Sequence, residues 1–538
     1  MSNLLKSNKL IFLLLSIPVF LLTFRASLIL DDPFHYGEYF ASLIGYLRAE
    51  TFEELPFTIH GALDFFPAYF IKDILMIENH FIYTKLLFHI LDFISSFLLI
   101  FIANMLLKSD RHRILLLFTV ALISPLIVSY RDLFLLTSVL LFLVTINQKG
   151  TYKSRIFLEI LFGLFVGLGV FWSFDRGIAT AVSLGIAILY LLYKEKTHIA
   201  SLFSFFFTIG YISILTDVFP IEYYYANIKF LMDTSSNWSY GLALSAVVLS
   251  LYAIVLNILI ISIFSYYIFN IKIFSNKNIS LFIAFLIFSI FMIKMGINRA
   301  DTGHVAFTLL FPLLMLIIIS NDKPEVNKKI KMLFLAFMLL SFLLSLKLLF
   351  YPFALISALA FFIFSLNLFS DKYINTKNIF IGSNIISLVF ILLTSYKAYS
   401  NNKYNWIELL SKNPANNEYV EDSMKWVSSE IKNSNSKCVF DLSNNGIING
   451  LINLPSCTKY TYLVYADKRH EENIINQLKI NSPEVIVYST TYWSYSIDGK
   501  SMKERFKSLD SYILENYKYE ACKYGYCLRS SRKYGDFK

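Results

Sequence analysis

Charge is scarce in this chain. Asp, Glu, Lys and Arg make up 16% of its 538 residues, whereas hydrophobic residues make up 56%, and the mean hydropathy is +0.57. Soluble domains run at roughly 45–50% apolar, so a soluble globular protein is excluded. The net charge of +10 is not gathered anywhere. No basic cluster interleaves with aromatics, and nucleic acid is therefore not an expected partner. A phosphate loop is missing too, because "NNGIING" lacks both the spacing and the lysine. Cysteine is limited to four residues, Cys438, Cys457, Cys522 and Cys527. They form no paired Cys-x-x-Cys and have no well-placed His, which argues against a zinc site.

What the chain has is apolar length. A transmembrane helix needs about 20 mostly apolar residues. On that basis spans fall near 10–30, 81–107, 114–129, 133–146, 156–173, 178–193, 199–219, 241–270, 280–297, 305–320, 332–346, 353–369 and 379–396, about 13 in all. The first run precedes "TFRASLIL", a poor cleavage region, and reads as a span rather than a signal peptide. The pairs 114–129 with 133–146 and 156–173 with 178–193 are short, and each reads either as two crossings or as a re-entrant hairpin. Both readings return the chain to the same side.

The charges that remain are asymmetric. With the N-terminus in the cytoplasm, Lys and Arg concentrate in "KSDRHR", "NQKGTYKSR", "KEKTH", "IKIFSNKN", "NDKPEVNKKIK" and "DKYINTKN". The opposite loops before residue 397 hold only Arg48, Lys72, Arg131, Arg176, Lys229, Arg299 and Lys347. This is the positive-inside pattern, and an odd span count then puts the tail outside. The sequence thus divides into a multi-span domain over 1–396, whose outer loop 31–80 carries amphipathic helices suited to the membrane interface, and an extracytoplasmic domain over 397–538.

The tail is polar. "CVFDL", "YTYLVYA" and "SPEVIVYS" read as strands, with "YGYCLRS" as an edge strand. "KRHEENIINQLKIN" and "SMKERFKSLDSYILENY" read as helices, which together describe a small α/β layer domain. An oxidising location makes disulfides the expectation for the cysteines. Four cysteines allow three pairings and the sequence does not choose among them. The neighbouring pairs, Cys438–Cys457 and Cys522–Cys527, are the favoured reading.

Inner loops are generic connectors, whereas outer loops carry chemistry. "LILDDPFHYGEYFAS" places Asp31, Asp32, His35 and Glu38 where the first span ends, with Pro33 stopping the helix. An acid at that height can take a proton from an acceptor hydroxyl or bind a divalent cation through oxygen. The bland alternative is that acids are simply tolerated outside. Arg131–Asp132 and Asp175–Arg176 sit at the tips of short hairpins, where a local ion pair is the plain reading. "NRADTGH" places Arg299, Asp301 and His304 at the top of the ninth span, about one turn beyond Lys294. These cations suit a lipid phosphate, and snorkelling is their plain reading. Asp64, His60 and Glu222 are further candidates. The Tyr223–Tyr225 run reads more readily as an aromatic belt than as a sugar-stacking platform.

An outer loop opening on "DDPFHYGEY", helices within that loop, many spans and an outer C-terminal domain together resemble the GT-C glycosyltransferases. These integral membrane enzymes transfer a sugar from a polyprenyl-phosphate carrier to an acceptor on the outer side. No WWD-type signature of the oligosaccharyltransferase branch occurs in the tail. The resemblance points towards bacterial enzymes that decorate lipid A, O-antigen, teichoic or arabinan-type polymers in the plasma (inner) membrane. It implies a hexosyl or pentosyl donor on polyprenyl phosphate, a glycan or lipid-linked acceptor, and inversion at the anomeric carbon. Asp31 or Asp32 would be the base, with His35 and Glu38 in support. Arg299, Lys294 and Arg131 would hold the donor phosphate. A divalent metal, Mg or Mn, is optional and would use Asp32 and Glu38. The tail would bind or gate the acceptor, or cover the site.

Two rivals come from other readings of the same spans. A transporter or flippase of lipid-linked sugars would concentrate polar groups at the midplane, often in repeats. Here midplane ionisable residues are few, Asp92 and Glu159 being the clearest, and no repeat is found. A polysaccharide polymerase would carry long Arg-rich outer loops without a folded tail. A membrane acyltransferase would want an inner histidine, and His112 and His198 lie in generic settings.

Overall fold

The computed structural model describes residues 9–24, 33–49, 54–58, 60, 61, 63, 65–77, 80–107, 113–148, 151–195, 197–215, 220–234, 244–270, 275–298, 302–319, 420–443, 446–461, 463–489 and 502–532. Asp31, Asp32, Asp64, Arg299 and Asp301 lie outside the described residues, as do the three spans expected between 332 and 396 and the domain boundary expected at 397.

Among the described residues, ten apolar helical stretches match the first ten expected spans. Six are long and apolar enough to cross a membrane: Tyr83–Leu106, Tyr130–Asn147, Tyr152–Trp172, Phe174–Glu195, Ser250–Phe269 and Asn276–Ile297. Lys9–Leu21, Leu116–Ile127, Ile199–Ile214 and His304–Ile319 are shorter. The chain is thus a polytopic helical membrane protein. In chain order the helices are α1 (Lys9–Thr23), α2 (Pro33–Arg48), α3 (Phe66–Tyr69), α4 (His80–Leu106), α5 (Arg113–Ile127), α6 (Leu133–Asn147), α7 (Tyr152–Trp172), α8 (Phe174–Glu195), α9 (Ile199–Gly210), α10 (Ile221–Thr234), α11 (Leu244–Asn270), α12 (Asn276–Asn298), α13 (Thr302–Phe307) and α14 (Leu310–Ile319). A continuous apolar core runs through the bundle, from Phe20 on α1 to Phe142, Phe285 and Phe311. Of the two weak pairs, α7 and α8 are each of full spanning length. In the other pair α5 is the shorter member, 15 residues running about 22 Å at ~1.5 Å per residue, whereas α6 continues the turn before it into an 18-residue stretch, Tyr130–Asn147.

The tail forms the expected α/β unit: α15 (Asp422–Asn433), β1 (Phe440–Asp441), α16 (Ile447–Ile452), α17 (Glu471–Asn481), β2 (Val485–Ser489), α18 (Met502–Arg505), α19 (Lys507–Asn516), β3 (Tyr519–Lys523) and β4 (Tyr526–Ser530). The sheet order is β1-β2-β4-β3. β1 and β2 are parallel, pairing Phe440 with Ile486, and the other two pairings are antiparallel. Two expectations fail here. "YTYLVYA" is not a strand but contains a 3-10 turn at Leu463–Tyr465. Its β-prone side chains Tyr460, Leu463 and Tyr465 are buried in the domain core instead, and tertiary packing overrides strand propensity. β4 is not the edge. It lies between β2 and β3, because Tyr526, Cys527 and Leu528 are buried. The edge is β3, "YEACK", which is too polar to read as a strand; it is turned back by Tyr524 and Gly525 at φ 53° and 77°, the positive-φ pair that a tight hairpin needs. Both disulfides have the favoured pairing, Cys438–Cys457 and Cys522–Cys527.

The tail domain sits on the first long loop. Phe40, Leu43, Phe65 and Ala68 of that loop share one apolar cluster with Val420, Met424, Ile447 and Ile448. Ala41 and Phe230 share another with Phe440, Cys457, Tyr460 and Leu463. The apolar side of α2 is therefore covered by protein. Phe66 of α3 and, beyond it, Ile74, Leu75 and Met76 are exposed.

Candidate functional site at the hairpin tips

Two hairpin tips meet below the first loop. The α5–α6 tip is a single 3-10 turn, Tyr130–Asp132, closed by a capping box between Ser129 and Asp132. The α7–α8 tip is Ser173, an extended residue between two full-length helices. Each tip carries one Arg and one Asp. The local ion pair expected for Asp175–Arg176 exists at 3.4 Å, but the shorter pairs cross between tips. Arg176 Nε donates to Asp132 Oδ1 at 2.9 Å, and Arg131 Nη2 donates to Asp175 Oδ1 at 2.7 Å.

The carboxylates have other donors as well. Asp132 Oδ2 accepts the Ser129 N–H at 2.9 Å. Asp175 Oδ1 also accepts Ser173 Oγ–H and the Arg176 N–H, both at 2.7 Å. Two Asp and two Arg balance in charge, which is what burial demands. The Asp132 and Arg176 side chains are 2% and 4% exposed. Chemically, the cluster is a rigid, charge-balanced frame.

Arg176 links this frame to the other candidate segment. Its Cζ lies 4.9 Å from the Phe307 ring centroid, and Nη1 lies 3.3 Å from Met295 Sδ. The His304 ring contacts Phe307 edge-on, 6.1 Å between centroids. The structure therefore brings Arg131, Asp175, Arg176 and His304 into one region. Lys294 is exposed on α12, next to Met295. His35 and Glu38 fall in the first two turns of α2, and the structure describes their backbone alone.

The first loop forms the roof. Phe174 N–H donates to His60 O at 2.6 Å, and Leu63 N–H donates to Phe171 O at 2.9 Å. This approach needs glycine at position 61, where a Cβ would come within 2.1 Å of Trp172 O. The tyrosine run does not form a belt as a whole. Tyr223 donates to Pro56 O, and Tyr224 donates to Val170 O at 3.3 Å. Burial raises the Tyr224 hydroxyl above its ordinary range, so it remains a donor. Tyr225 is exposed. Glu222 is exposed in the first turn of α10.

One feature escaped the sequence reading. Lys85, His89, Asp92 and Ser96 recur on α4 at i, i+4, i+7 and i+11, a single helical face. Lys85 and Ser96 are buried. Asp92 Oδ1 accepts the Tyr130 N–H at 2.6 Å, and His89 Nδ1 lies 3.9 Å from Asp92 Oδ2. Asp92 thus belongs to the tip region. It lies about 18 Å along α4 from His80 at ~1.5 Å per residue. Ionisable residues within an apolar spanning helix mark functional regions by default, and their helical spacing is the signal that could have found them. Glu159 lies elsewhere, near the start of α7, where Arg155 and His198 flank it at 3.0 and 3.2 Å.

The residues named for a divalent cation, Asp32 and Glu38, have no described side chains. Among the described residues, Glu520, Cys522 and Cys527 form a cluster of ligand type. Both cysteines are in a disulfide and supply no thiolate.

No protein-family model matches the chain, and no curated protein matches it. Two solved structures are similar along nearly its whole length. ArnT from Cupriavidus metallidurans bound to undecaprenyl phosphate has a TM-score of 0.48 and 10% identity, covering 97% of this chain and 98% of that one. The same protein in the apo state has a TM-score of 0.44 and 9% identity, covering 97% of each chain.

Proposed function

We propose that this chain is a membrane glycosyltransferase of the GT-C type. It moves a hexosyl or pentosyl group from a polyprenyl-phosphate donor to a hydroxyl of a glycan or lipid-linked acceptor, with inversion. Asp31 or Asp32 takes the acceptor proton as the oxygen attacks the anomeric carbon. The carbon–phosphate oxygen bond breaks, and the polyprenyl phosphate leaves with the electron pair. Arg299, Lys294 and Arg131 stabilise that phosphate, while His35 and Glu38 orient the base. The reaction side is the outer face, with the N-terminus in the cytoplasm and the C-terminal domain outside.

One observation supports this reading above the rest. Apart from the Arg155–Glu159–His198 group, the described buried ion pairs gather where both hairpin tips meet, beside Met295 of α12, Phe307 of α13 and the first loop, on which the C-terminal domain packs. A transporter would instead line a path through the bundle. The test is transfer from purified polyprenyl-phosphate-linked sugars in liposomes, read as release of polyprenyl phosphate and glycosylation of the acceptor. Movement of intact donor across the bilayer with no release would favour the flippase.

A further inference from the structure

Beyond the packing of α2 on α16, the C-terminal domain meets the first loop around the ring of Phe57. Phe57 stacks on Phe230 of α10, 4.4 Å between centroids and 10° between planes. Tyr460 of the C-terminal domain lies 5.4 Å from Phe57 and 5.8 Å from Phe230, so the three rings form one cluster. Lys459 Nζ sits 5.2 Å from the Phe57 ring centroid, and the Phe57 N–H donates to Lys459 O at 2.9 Å. Such packing holds a loop residue within an aromatic cluster, with a main-chain bond to fix its register.

Both sides of this contact are anchored. In the C-terminal domain, Lys459 lies two residues after Cys457, which is disulfide-bonded to Cys438. The Cys457 carbonyl accepts Asn481 Nδ2–H at 2.7 Å, and Gln477 Oε1 accepts the Lys459 N–H at 2.9 Å. In the loop, Thr58 N–H donates to Asn227 Oδ1 at 2.8 Å. Three residues beyond Phe57 comes His60, whose carbonyl holds Phe174, and then Leu63, whose N–H holds Phe171. Phe174 adjoins Ser173 and Asp175, both members of the charged frame.

We infer that Phe57 is a positioning residue: through it the C-terminal domain holds His60, Gly61 and Leu63 against the α7–α8 tip and so sets the roof of the charged frame. The domain is then a brace for the site, in addition to any role in binding an acceptor. The consequence for catalysis rests on the glycosyltransferase reading, whereas the mechanical link does not.

The experiment is hydrogen exchange on the full chain in nanodiscs, comparing wild type with Phe57→Ala, Phe57→Tyr and Tyr460→Ala, alongside transfer kinetics. Local opening is governed by few contacts in such loops. Phe57→Ala and Tyr460→Ala should raise exchange at 60–63 and 171–174 by about tenfold, with strands 440–441 and 485–489 unchanged. Phe57→Tyr should behave as wild type. In transfer, kcat should fall with donor KM little changed, and Phe57→Tyr should restore it. Wild-type exchange at 60–63 and 171–174 in both truncated variants would overturn the inference, and so would loss of protection throughout the chain, because the link is local. A wild-type protein with no transfer activity refutes the proposed function alone, and the exchange result still decides this inference.

Discussion

Arg176 reaches from its own hairpin to Asp132 of the neighbouring one, at 2.9 Å, and both side chains are almost wholly buried. The pair ties the α5–α6 tip to the α7–α8 tip. Removing one partner of such a pair leaves a buried charge and costs about 3–5 kcal/mol. Asp132→Ala should therefore lower the thermal midpoint in detergent substantially. Asp132→Leu combined with Arg176→Met should recover much of that loss, because both charges go together. A double variant as unstable as the single one would show that the frame is held by something else.

Arg131 behaves differently. Its pair with Asp175 is partly exposed, at 19% and 33%, so after solvent screening it is worth about 1 kcal/mol or less. Arg131→Ala should barely move the thermal midpoint. Under the proposed function it should raise donor KM, because a phosphate contact is lost. An unchanged KM would remove Arg131 from the phosphate site.

The sequence shows the membrane domain well, because hydropathy over a full span depends on no tertiary detail. It shows the charged pairs of the tips as well, since Arg131–Asp132 and Asp175–Arg176 are adjacent in the chain. It does not show that they cross, because the crossing exists only once two hairpins lie side by side. The Lys85–His89–Asp92 face is readable from spacing, yet Asp92 considered alone passes for a midplane acid. The edge strand at Tyr519–Lys523 is hidden by its exposure: a strand with no buried face has no hydrophobic alternation to read.

Docking of the C-terminal domain should weaken in acid. His470 packs against Phe230 and Tyr460, 5.3 and 5.2 Å between centroids. Burial lowers its pKa, against the opposing charge of Asp467, while Arg469 adds to the lowering. Burial pushes the Tyr460 hydroxyl up to about 12, with Asp467 adding to it, so it stays neutral here. Burial alone would raise Asp467, but hydrogen bonds from Arg469 and the charges of His470 and Arg469 bring it below the usual carboxylate range. Arg469 also donates to Asp233 O on α10. A histidine with a folded pKa below its unfolded value of about 6.5 binds more protons when unfolded. Its contribution is thus present above about pH 6.5 and is lost as pH falls through the window below. Asp467 adds stability that is lost only as pH falls below about 4. Protease sensitivity of the 457–470 segment should rise between pH 7 and 5, and His470→Gln should flatten that rise. An equal rise in His470→Gln would place the pH response elsewhere.

The Cys438–Cys457 disulfide closes a loop with a sequence separation of 19. A closure of this size contributes about 3 kcal/mol by chain entropy. The Cys522–Cys527 bond closes a much shorter one, with a separation of 5, and should matter less. The double variant Cys438→Ser with Cys457→Ser should lower the midpoint of the C-terminal domain more than Cys522→Ser with Cys527→Ser does. The reverse order, measured by thermal unfolding under non-reducing conditions, would contradict this ranking.

The central claim is that the acids of "DDPFHYGEY" activate an acceptor hydroxyl. The most direct measurement is sugar transfer from a polyprenyl-phosphate donor by Asp31→Asn and Asp32→Asn, each shown to be inserted and folded. The account predicts that one of the two loses transfer by a factor of about 100 or more, the scale of general-base catalysis, while donor binding survives. Full transfer by both variants would contradict it.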